Sequence, residues 1–358
     1  MLTLIALFTA AAGVQLVCWI VVGIGSRRCL WRRNWPDMVL RRPISVVVAV
    51  HNGAESLPRL FDALKDQTAG GDEIVVIDDH SIDGTAGVVD AAVAKYPIIR
   101  LISSRGTGKK SALTEGIAAA TNETLALTDA DCIPGPNWLA EIRRIHEEED
   151  ECIVVGYGPY LARADYLSSL IRYETLHTAV LFIAALALGR PYMAVGRNLS
   201  YRKETFHRLG GFDDTLDLLS GDDDLFVQSA AARGVRVRFM SRPSAFSYSE
   251  APSSVAAWLK QKRRHLSASR RYRLLPKVSL FVYHASALLC WLAPLAVGWM
   301  GVACLLCRLV PGQIVLSYAG SALREKNLAA WFVPLDLTYQ IYLIVVAPIA
   351  WLRPPREW

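Results

Sequence analysis

The sequence predicts a doubly wound α/β domain flanked by apolar segments that are long enough to cross a membrane. Three observations lead to this prediction: β-branched runs alternate with helical patterns, acidic clusters follow several of these runs, and uncharged stretches lie near both ends. Of the 358 residues, 53% are hydrophobic, which exceeds the roughly 45–50% of soluble domains. A purely soluble enzyme, a disordered chain and a small disulfide scaffold are therefore disfavoured.

The first apolar segment, Leu2–Ile24, contains no charged residue and exceeds the about 20 residues that a membrane helix needs. A basic cluster follows it, formed by Arg27, Arg28, Arg32, Arg33, Arg41 and Arg42. Such clusters mark the cytoplasmic side of membrane helices. We therefore predict an uncleaved anchor over residues 1–25, a basic juxtamembrane linker over residues 26–42, and a cytoplasmic domain after it. A buried core helix is the alternative for the first segment.

The next elements form repeated strand–helix pairs. Ile44–Val50 is a short β-branched run, which is typical of a buried parallel strand. Further strands are predicted at Glu73–Asp79, Ile98–Ser103 and Thr124–Thr128, with helical patterns between them. This alternation indicates a doubly wound sheet, whose ligands bind at the carboxyl ends of the strands.

The second half of the domain contains one apolar and one basic segment. Thr178–Leu188 is too short to span a membrane and is predicted to be buried or to lie at the membrane surface. Trp258–Lys277 contains eight basic residues and no acid, which favours a surface helix against anionic lipid. Nucleic-acid binding is the competing interpretation, and the adjoining membrane segment disfavours it. The domain is predicted over residues 43–277, with interface helices near 160–190 and 255–277.

The C-terminal region, residues 278–352, is predicted to contain two or three spans. The candidate stretches are Val278–Cys307, Leu309–Leu323 and Leu328–Leu352. Arg308 and Asp336 interrupt these apolar runs, and charges in membrane segments are costly enough to be either functional or placed at an interface. Residues 353–358 form a tail, whose side of the membrane is left open.

Three acidic clusters fall at predicted strand ends or helix starts. They are Asp78/Asp79, Asp129/Asp131 and Asp222/Asp223/Asp224. One such pair alone is more often a cap or a turn, but three in one α/β domain indicate a site. Asp129 and Asp131 can converge on one Mg²⁺ or Mn²⁺ ion, which bridges phosphate oxygens as a Lewis acid. Asp79 can bind a base or ribose at the sheet edge, and Asp223 can deprotonate an acceptor hydroxyl.

Seven segments resemble, in order, the motifs of a family 2 glycosyltransferase with the GT-A fold. They read VVVAVHNG, VIDDHSIDGT, GTGKKSAL, LTDADC, GRNLSYRKETF with a following GGF, SGDDDL and QKRRH. The resemblance covers Pro43 to His265. The flanking spans resemble the membrane-integrated branch of the family, which includes hyaluronan, chitin and cellulose synthases and lipid-acceptor glycosyltransferases.

The resemblance implies a donor site with a divalent metal ion. The residues that would line the nucleotide base and ribose are Ala49, His51 and Asp79. Lys109 would lie near the donor in the glycine turn. Asp129 and Asp131 would form the DxD motif, with Asp131 as the main metal ligand.

The same resemblance implies the catalytic residues. Asp223, the second acid of the GDD motif, would be the catalytic base, with Asp222 beside it. Gln261 and Arg264 match the first and fourth positions of the QxxRW motif, which contacts the donor diphosphate and the acceptor. The tryptophan of that motif is His265 here, which alters the stacking platform for an acceptor sugar.

The main hypothesis is an inverting, metal-dependent glycosyltransferase of the bacterial inner membrane. It would move a sugar from a cytoplasmic UDP- or GDP-linked donor to a hydroxyl of a lipid-linked or glycan acceptor. Arg197 and Asn198 would contact the acceptor or phosphate, or else merely orient a turn. The altered QxxRW motif disfavours the first alternative, a processive polysaccharide synthase. The second alternative is a catalytically silent membrane scaffold of the same fold.

Overall fold

The computed structural model describes residues 1–31, 42–218 and 220–352. Arg32, Arg33 and Arg41 of the predicted basic linker and the tail 353–358 lie outside the described residues. The chain divides into two compact units. Among the described residues, the α/β unit comprises residues 42–161 and 193–251 without residue 219, and the helical unit comprises residues 1–31, 162–192 and 252–352.

The elements are numbered in chain order. The α-helices of the described residues are α1 (Leu2–Leu30), α2 (Leu57–Leu64), α3 (Thr85–Lys95), α4 (Lys109–Ala119), α5 (Trp138–Glu148), α6 (Tyr166–Ala187), α7 (Lys203–Arg208), α8 (Asp224–Ala232), α9 (Val255–Ala268), α10 (Leu274–Val297), α11 (Trp299–Ala322) and α12 (Phe332–Leu352). The strands are β1 (Ile44–Val50), β2 (Glu73–Asp78), β3 (Ile99–Ser103), β4 (Thr124–Leu127), β5 (Cys132–Pro134), β6 (Cys152–Gly156), β7 (Leu199–Arg202), β8 (Arg236–Met240) and β9 (Ser247–Ser249).

The α/β unit contains the predicted sheet. Its seven strands are arranged in the order β3-β2-β1-β4-β7-β6-β8. The first four are parallel, with Val47 of β1 paired to Val75 on one side and Leu127 on the other. These side chains are buried, as expected for strands covered by helices on both faces. The predicted α/β fold class and all four predicted strands are confirmed.

The second half of the sheet adds strands of mixed direction. β7 runs antiparallel to both β4 and β6, and β6 pairs in parallel with β8. A separate two-stranded sheet joins β5 to β9. β5 begins directly after the Asp129–Asp131 segment, so this small sheet fixes the chain on the far side of the DxD motif.

The helical unit contains segments that the sequence prediction had assigned to the domain over residues 43–277. Residues 162–192 and 252–277 group with the N-terminal and C-terminal helices, because they are themselves helical and pack on other apolar helices. The predicted domain therefore has one interruption, at residues 162–192, and ends at residue 251 instead of residue 277. The predicted interface helices near 160–190 and 255–277 correspond to these two segments.

Five segments of the helical unit are long and apolar enough to cross a membrane. They are Leu2–Leu30, Tyr166–Ala187, Leu274–Val297, Trp299–Ala322 and Lys326–Ala350. The N-terminal apolar helix continues to Leu30 and so includes Arg27 and Arg28 of the predicted basic linker, and the C-terminal region contains three candidates. The candidate stretch Val278–Cys307 is divided between two helices, because the chain breaks between α10 and α11 at Gly298. The φ of Gly298 is 58°, a left-handed value that glycine adopts without steric cost.

The apolar stretch Thr178–Leu188 is part of a longer helix than predicted. α6 starts after Asp165, whose Oδ1 accepts a hydrogen bond from the backbone N–H of Ser168 at 2.6 Å. Its polar residues are paired, since Arg172 binds Glu325 and Glu174 lies 2.8 Å from Lys262 Nζ. The 22 residues of α6 make it long enough to span a membrane, and its paired polar residues had hidden that length in the sequence.

The basic stretch Trp258–Lys277 is not one continuous helix. α9 ends at Ala268, a short 3₁₀ turn follows over Ser269–Arg271, and α10 begins at Leu274. Lys277 therefore belongs to the next candidate span, where its Nζ donates to the carbonyl of Arg270 at 2.7 Å. The predicted interface helix is correspondingly shorter at its C-terminal end.

The two charged residues in the C-terminal apolar runs form a buried ion pair. Arg308 donates from Nη2 to Asp336 Oδ1 at 2.6 Å and from Nε to Asp336 Oδ2 at 3.2 Å. Tyr173 and Trp291 also donate to Asp336, each at 2.8 Å, and Gln15 accepts from Arg308. Each of the five candidate spans thus supplies one side chain to this cluster, which we call the five-helix polar cluster.

Candidate active site

The predicted donor-side residues lie together at one edge of the sheet. β1, β2 and β4 are parallel neighbours, so the residues that follow them share an edge. His51 Nδ1 lies 2.6 Å from the carbonyl oxygen of Asp79, and the N–H of Asp79 donates to the carbonyl of Val50 at 2.8 Å. Ala49 is half-buried one residue before the end of β1 and pairs in register with Ile77.

Lys109 connects two of the acidic clusters. Its Nζ lies 2.8 Å from Asp129 Oδ1 and 3.3 Å from Asp222 Oδ2. Burial alone would lower the pKa of Lys109, but these two carboxylates outweigh burial and raise that pKa. The ammonium group therefore stays charged and holds the DxD and GDD segments together.

The turn before Lys109 is held by the remaining acidic cluster, Asp78/Asp79. Gly108 donates its N–H to Asp79 Oδ2 at 2.8 Å and has a φ of 92°. An L side chain rarely adopts this φ, so the position requires glycine. The glycine turn thus links the end of β2 to the start of α4, and Lys109 is the first residue of that helix.

Asp223 is held by the backbone on both carboxylate oxygens. Oδ2 accepts the N–H of Gly196 at 2.9 Å, and Oδ1 accepts the N–H of Asp224 at 2.8 Å. A Cβ on residue 196 would lie 3.2 Å from Asp223 Oδ2, so glycine permits this close approach. Burial and then the neighbouring Asp222 carboxylate raise the pKa of Asp223 to about 6. A carboxylate with such a pKa accepts a proton more readily than an ordinary aspartate near neutral pH.

The candidate metal ligands lie just after β4. Asp129, Asp131 and Cys132 each offer a ligand atom, and these atoms lie within 4.8 Å of one another. The buried Cys132 thiol donates to Asp131 Oδ1 at 3.8 Å. Burial and then the nearby carboxylates raise the pKa of this thiol, so it stays protonated and does not suit a metal. The two carboxylates provide the oxygen ligands that Mg²⁺ and Mn²⁺ prefer, and they fit such an ion.

Arg197 and Asn198 differ in their surroundings. The guanidinium of Arg197 lies 4.6 Å from the ring centroid of Tyr160 and donates to the carbonyl of Gly158. Asn198 is fully buried; it donates to the carbonyl of Tyr157 at 2.8 Å and accepts from Trp138 Nε1 at 2.9 Å. These bonds favour the alternative that Asn198 orients the turn before β7, whereas Arg197 stays a candidate for contact with phosphate.

The three residues of the QxxRW-like motif belong to the helical unit. Gln261, Arg264 and His265 lie on α9, and His265 is exposed. Glu174 of α6 holds this helix, since its Oε2 lies 2.8 Å from Lys262 Nζ and accepts from Trp258 Nε1 at 3.3 Å. Their contact with a donor or acceptor stays a prediction.

Two residues that shape the site were missed by the sequence reasoning. Lys110 Nζ donates to backbone carbonyls of the loop before the GDD motif. Glu115 accepts the N–H groups of Arg105 and Gly106, at 2.9 and 3.0 Å, and so fixes the turn before α4. Lys110 lies within GTGKKSAL, and Glu115 lies two residues after this segment. Their side chains bind backbone groups, which every residue has, so no sequence pattern reveals these bonds.

Part of the chain is similar to known glycosyltransferases. Residues 45–207 match the family model described as "Glycosyl transferase family 2". A probable glycosyltransferase of Bacillus subtilis, YdaM, is 24% identical over 245 residues, which cover 65% of this chain and 56% of the relative. The pre-mycofactocin glycosyltransferase of Mycobacterium tuberculosis is 24% identical over 269 residues, which cover 72% of this chain and 53% of the relative. The chain thus spans about half the length of these curated relatives.

A solved structure covers nearly the whole chain. It is a mannosyltransferase from Pyrobaculum calidifontis in complex with GDP-mannose and Mn²⁺, which is 23% identical with a TM-score of 0.60. The match covers 97% of this chain and 98% of that one, and it shows a shared fold. The family match therefore identifies residues 45–207, which contain Lys109, Asp129 and Asp131, as a family 2 glycosyltransferase domain, and the solved structure shows that the chain shares the GT-A fold.

Proposed function

We propose that this chain is a membrane-bound, inverting glycosyltransferase that moves one sugar from a nucleotide-sugar to a hydroxyl of a lipid-linked acceptor. The observation that carries the proposal is that Lys109 forms ion pairs with both Asp129 and Asp222. Asp223 directly follows Asp222 in the sequence. This arrangement joins a candidate metal and diphosphate site to a carboxylate with a raised pKa. One metal and one base are what a direct displacement at the anomeric carbon requires.

The donor is proposed to be a UDP- or GDP-linked sugar. Asp129 and Asp131 would hold Mg²⁺ or Mn²⁺, which neutralises the charge of the diphosphate leaving group when it is bound. His51 and Asp79 would contact the base and ribose at the sheet edge. The Pyrobaculum neighbour binds GDP-mannose with Mn²⁺, which supports this class of donor and cation here.

The acceptor is proposed to be anchored in a membrane. Five helices of the chain are long and apolar enough to span one, and the basic residues of α9 and the following turn suit an anionic, cytoplasmic lipid surface. His265 replaces the stacking tryptophan of polymer-forming relatives, which favours a single transfer over processive synthesis. Partners would therefore be the donor, the lipid acceptor and membrane lipids, without nucleic acid.

The experiment that tests this proposal uses the purified full chain in lipid nanodiscs. A panel of UDP- and GDP-sugars is supplied with Mg²⁺ or Mn²⁺ and a bacterial lipid extract, and products are separated by mass. We expect one donor to yield a lipid product that carries a single added sugar. A ladder of products from one donor would show processive synthesis, and no turnover with any donor would favour the silent scaffold.

Replacing Asp131 by Ala is expected to remove the dependence of donor binding on the divalent ion. The variant loses one of two oxygen ligands, so added Mn²⁺ should no longer raise the affinity for the nucleotide-sugar. Titration calorimetry with and without Mn²⁺ measures the effect. Asp90→Ala, an exposed aspartate on α3, is the matched control and should retain the metal dependence. A full metal response in Asp131→Ala would refute the ligand assignment.

A further inference from the structure

Lys110 is a buried lysine whose ammonium group binds the backbone. Only 6% of the residue is exposed. Its Nζ donates to the carbonyl of Thr215, to that of Leu218 at 3.1 Å and to that of Ser220 at 3.0 Å. An ammonium group has three donors, and these three carbonyls match them in number. The charge is thereby solvated by the loop in place of water.

The loop that Lys110 holds leads directly into the acidic pair. After the Ser220 carbonyl come Gly221, with a φ of 92°, and then Asp222 and Asp223. Over its described residues the loop has only a short 3₁₀ turn at Asp213–Thr215 as regular structure. Sheet pairing therefore does not set the position of the described part of this loop, and three bonds from the buried Lys110 tie it to α4.

The two consecutive lysines of α4 act on the same acidic segment in different ways. Lys109 binds the side chain of Asp222 at 3.3 Å, and Lys110 binds the main chain two residues earlier, at Ser220. Lys109 also contacts Asp129 and so belongs to the proposed donor and metal site.

We propose that Lys110 is a positioning residue for the Asp222–Asp223 pair, acting through the three carbonyls that it binds. This inference rests on the proposed function, in which Asp223 is the base. Loss of the ammonium group releases the loop, and the base then occupies its reactive position for a smaller fraction of the time. Because the donor side of the site does not pass through this loop, donor binding is left largely intact.

The test compares Lys110→Met with Lys203→Met in the full chain. Lys203 is a matched control, because its Nζ also donates to two backbone carbonyls, those of Ala118 and Ala120 at the other end of α4. For Lys110→Met we expect kcat to fall about 100-fold, the usual scale for a displacement of about 1 Å at a reacting group. We expect the KM for the donor to change less than about twofold. Lys203→Met should keep kcat close to that of the wild type, and Lys110→Arg should restore most of it.

Hydrogen exchange gives a readout that does not depend on activity. In Lys110→Met, amides of the loop over residues 213–223 should exchange at least about tenfold faster, while those of β1 and β2 keep their rates. Unchanged loop exchange would overturn the anchoring role whatever the donor is. Faster exchange with an unchanged kcat would overturn the positioning role and leave the proposed function intact. If Lys110→Met does not fold, Lys110→Gln takes its place. A kcat of Lys110→Gln equal to that of the wild type overturns the proposal. A lower kcat in Lys110→Gln, with a kcat near that of the wild type in Lys110→Arg, supports it.

Discussion

Replacing Asp223 by Asn is expected to abolish sugar transfer while the protein still binds its nucleotide. In the proposed mechanism this carboxylate takes the acceptor proton; it is held by two backbone N–H groups, and burial and then the neighbouring Asp222 raise its pKa to about 6. Removing a general base costs roughly 10²- to 10⁴-fold in rate. Asn is similar in size and cannot accept the proton. Single-turnover transfer and nucleotide affinity, measured on the same preparation, separate the two effects.

The matched control for this variant is Asp214→Asn. Asp214 is an exposed aspartate in the loop before the GDD motif, so its replacement makes the same chemical change outside the site. Asp214→Asn should keep the wild-type rate, and both variants should have similar thermal unfolding curves. Wild-type turnover in Asp223→Asn would refute the base assignment, and lost nucleotide binding would place Asp223 on the donor instead.

The dependence of the rate on pH follows from the same carboxylate. A base acts in its deprotonated form, and burial beside Asp222 raises the pKa of Asp223 to about 6. The rate should therefore be level above that pH and fall tenfold per unit as the pH decreases below it. A profile of kcat/KM against pH from 4.5 to 8 measures this limb. An acid limb near pH 4, the range of an ordinary aspartate, would contradict the environment described for Asp223.

The first half of the α/β unit was predictable because its strands are recognisable from short runs of the sequence. β1, β2 and β4 are short runs of β-branched and apolar residues that are buried on both faces, so their composition indicates parallel strands. Once these strands are parallel, Asp79 and Asp129 must share one edge of the sheet. Chain order and strand direction were thus enough to place the donor side of the site together.

The remaining features depend on contacts between distant residues. The bond from Lys109 to Asp222 joins the start of α4 to the start of α8, and no period in the sequence reports such a pair. The bonds of Lys110 are made to carbonyls, which every residue possesses. The length of α6 was concealed because Arg172 and Glu174 lower its apparent hydropathy, although both are paired in the fold. Polar residues whose partners come from another element therefore misled the prediction for α6.

Replacing Arg308 by Met is expected to destabilise the helical unit more than any other single change described for it. Both side chains of the Arg308–Asp336 pair are fully buried, with 0% exposure. Loss of one partner leaves the Asp336 charge without its counterion, which costs about 3–5 kcal/mol when a buried pair is broken. The cluster has one side chain from each of the five candidate spans, so we expect the loss to spread to all five. Thermal unfolding of the detergent-solubilised chain, followed by tryptophan fluorescence, measures it.

A double variant tests whether the pair or simply the site at Arg308 matters. Arg308→Met combined with Asp336→Asn removes both charges, so the uncompensated carboxylate is gone and the remaining amide can still accept from Tyr173 or Trp291. The double variant should therefore be more stable than Arg308→Met alone, which additive effects of two independent sites would not produce. Arg163→Met, which breaks a partly exposed pair with Asp165 at 3.1 Å, is the control and should cost at most about 1 kcal/mol. If Arg308→Met is as mild as Arg163→Met, the five-helix polar cluster does not hold these helices together, and their association rests on apolar packing alone.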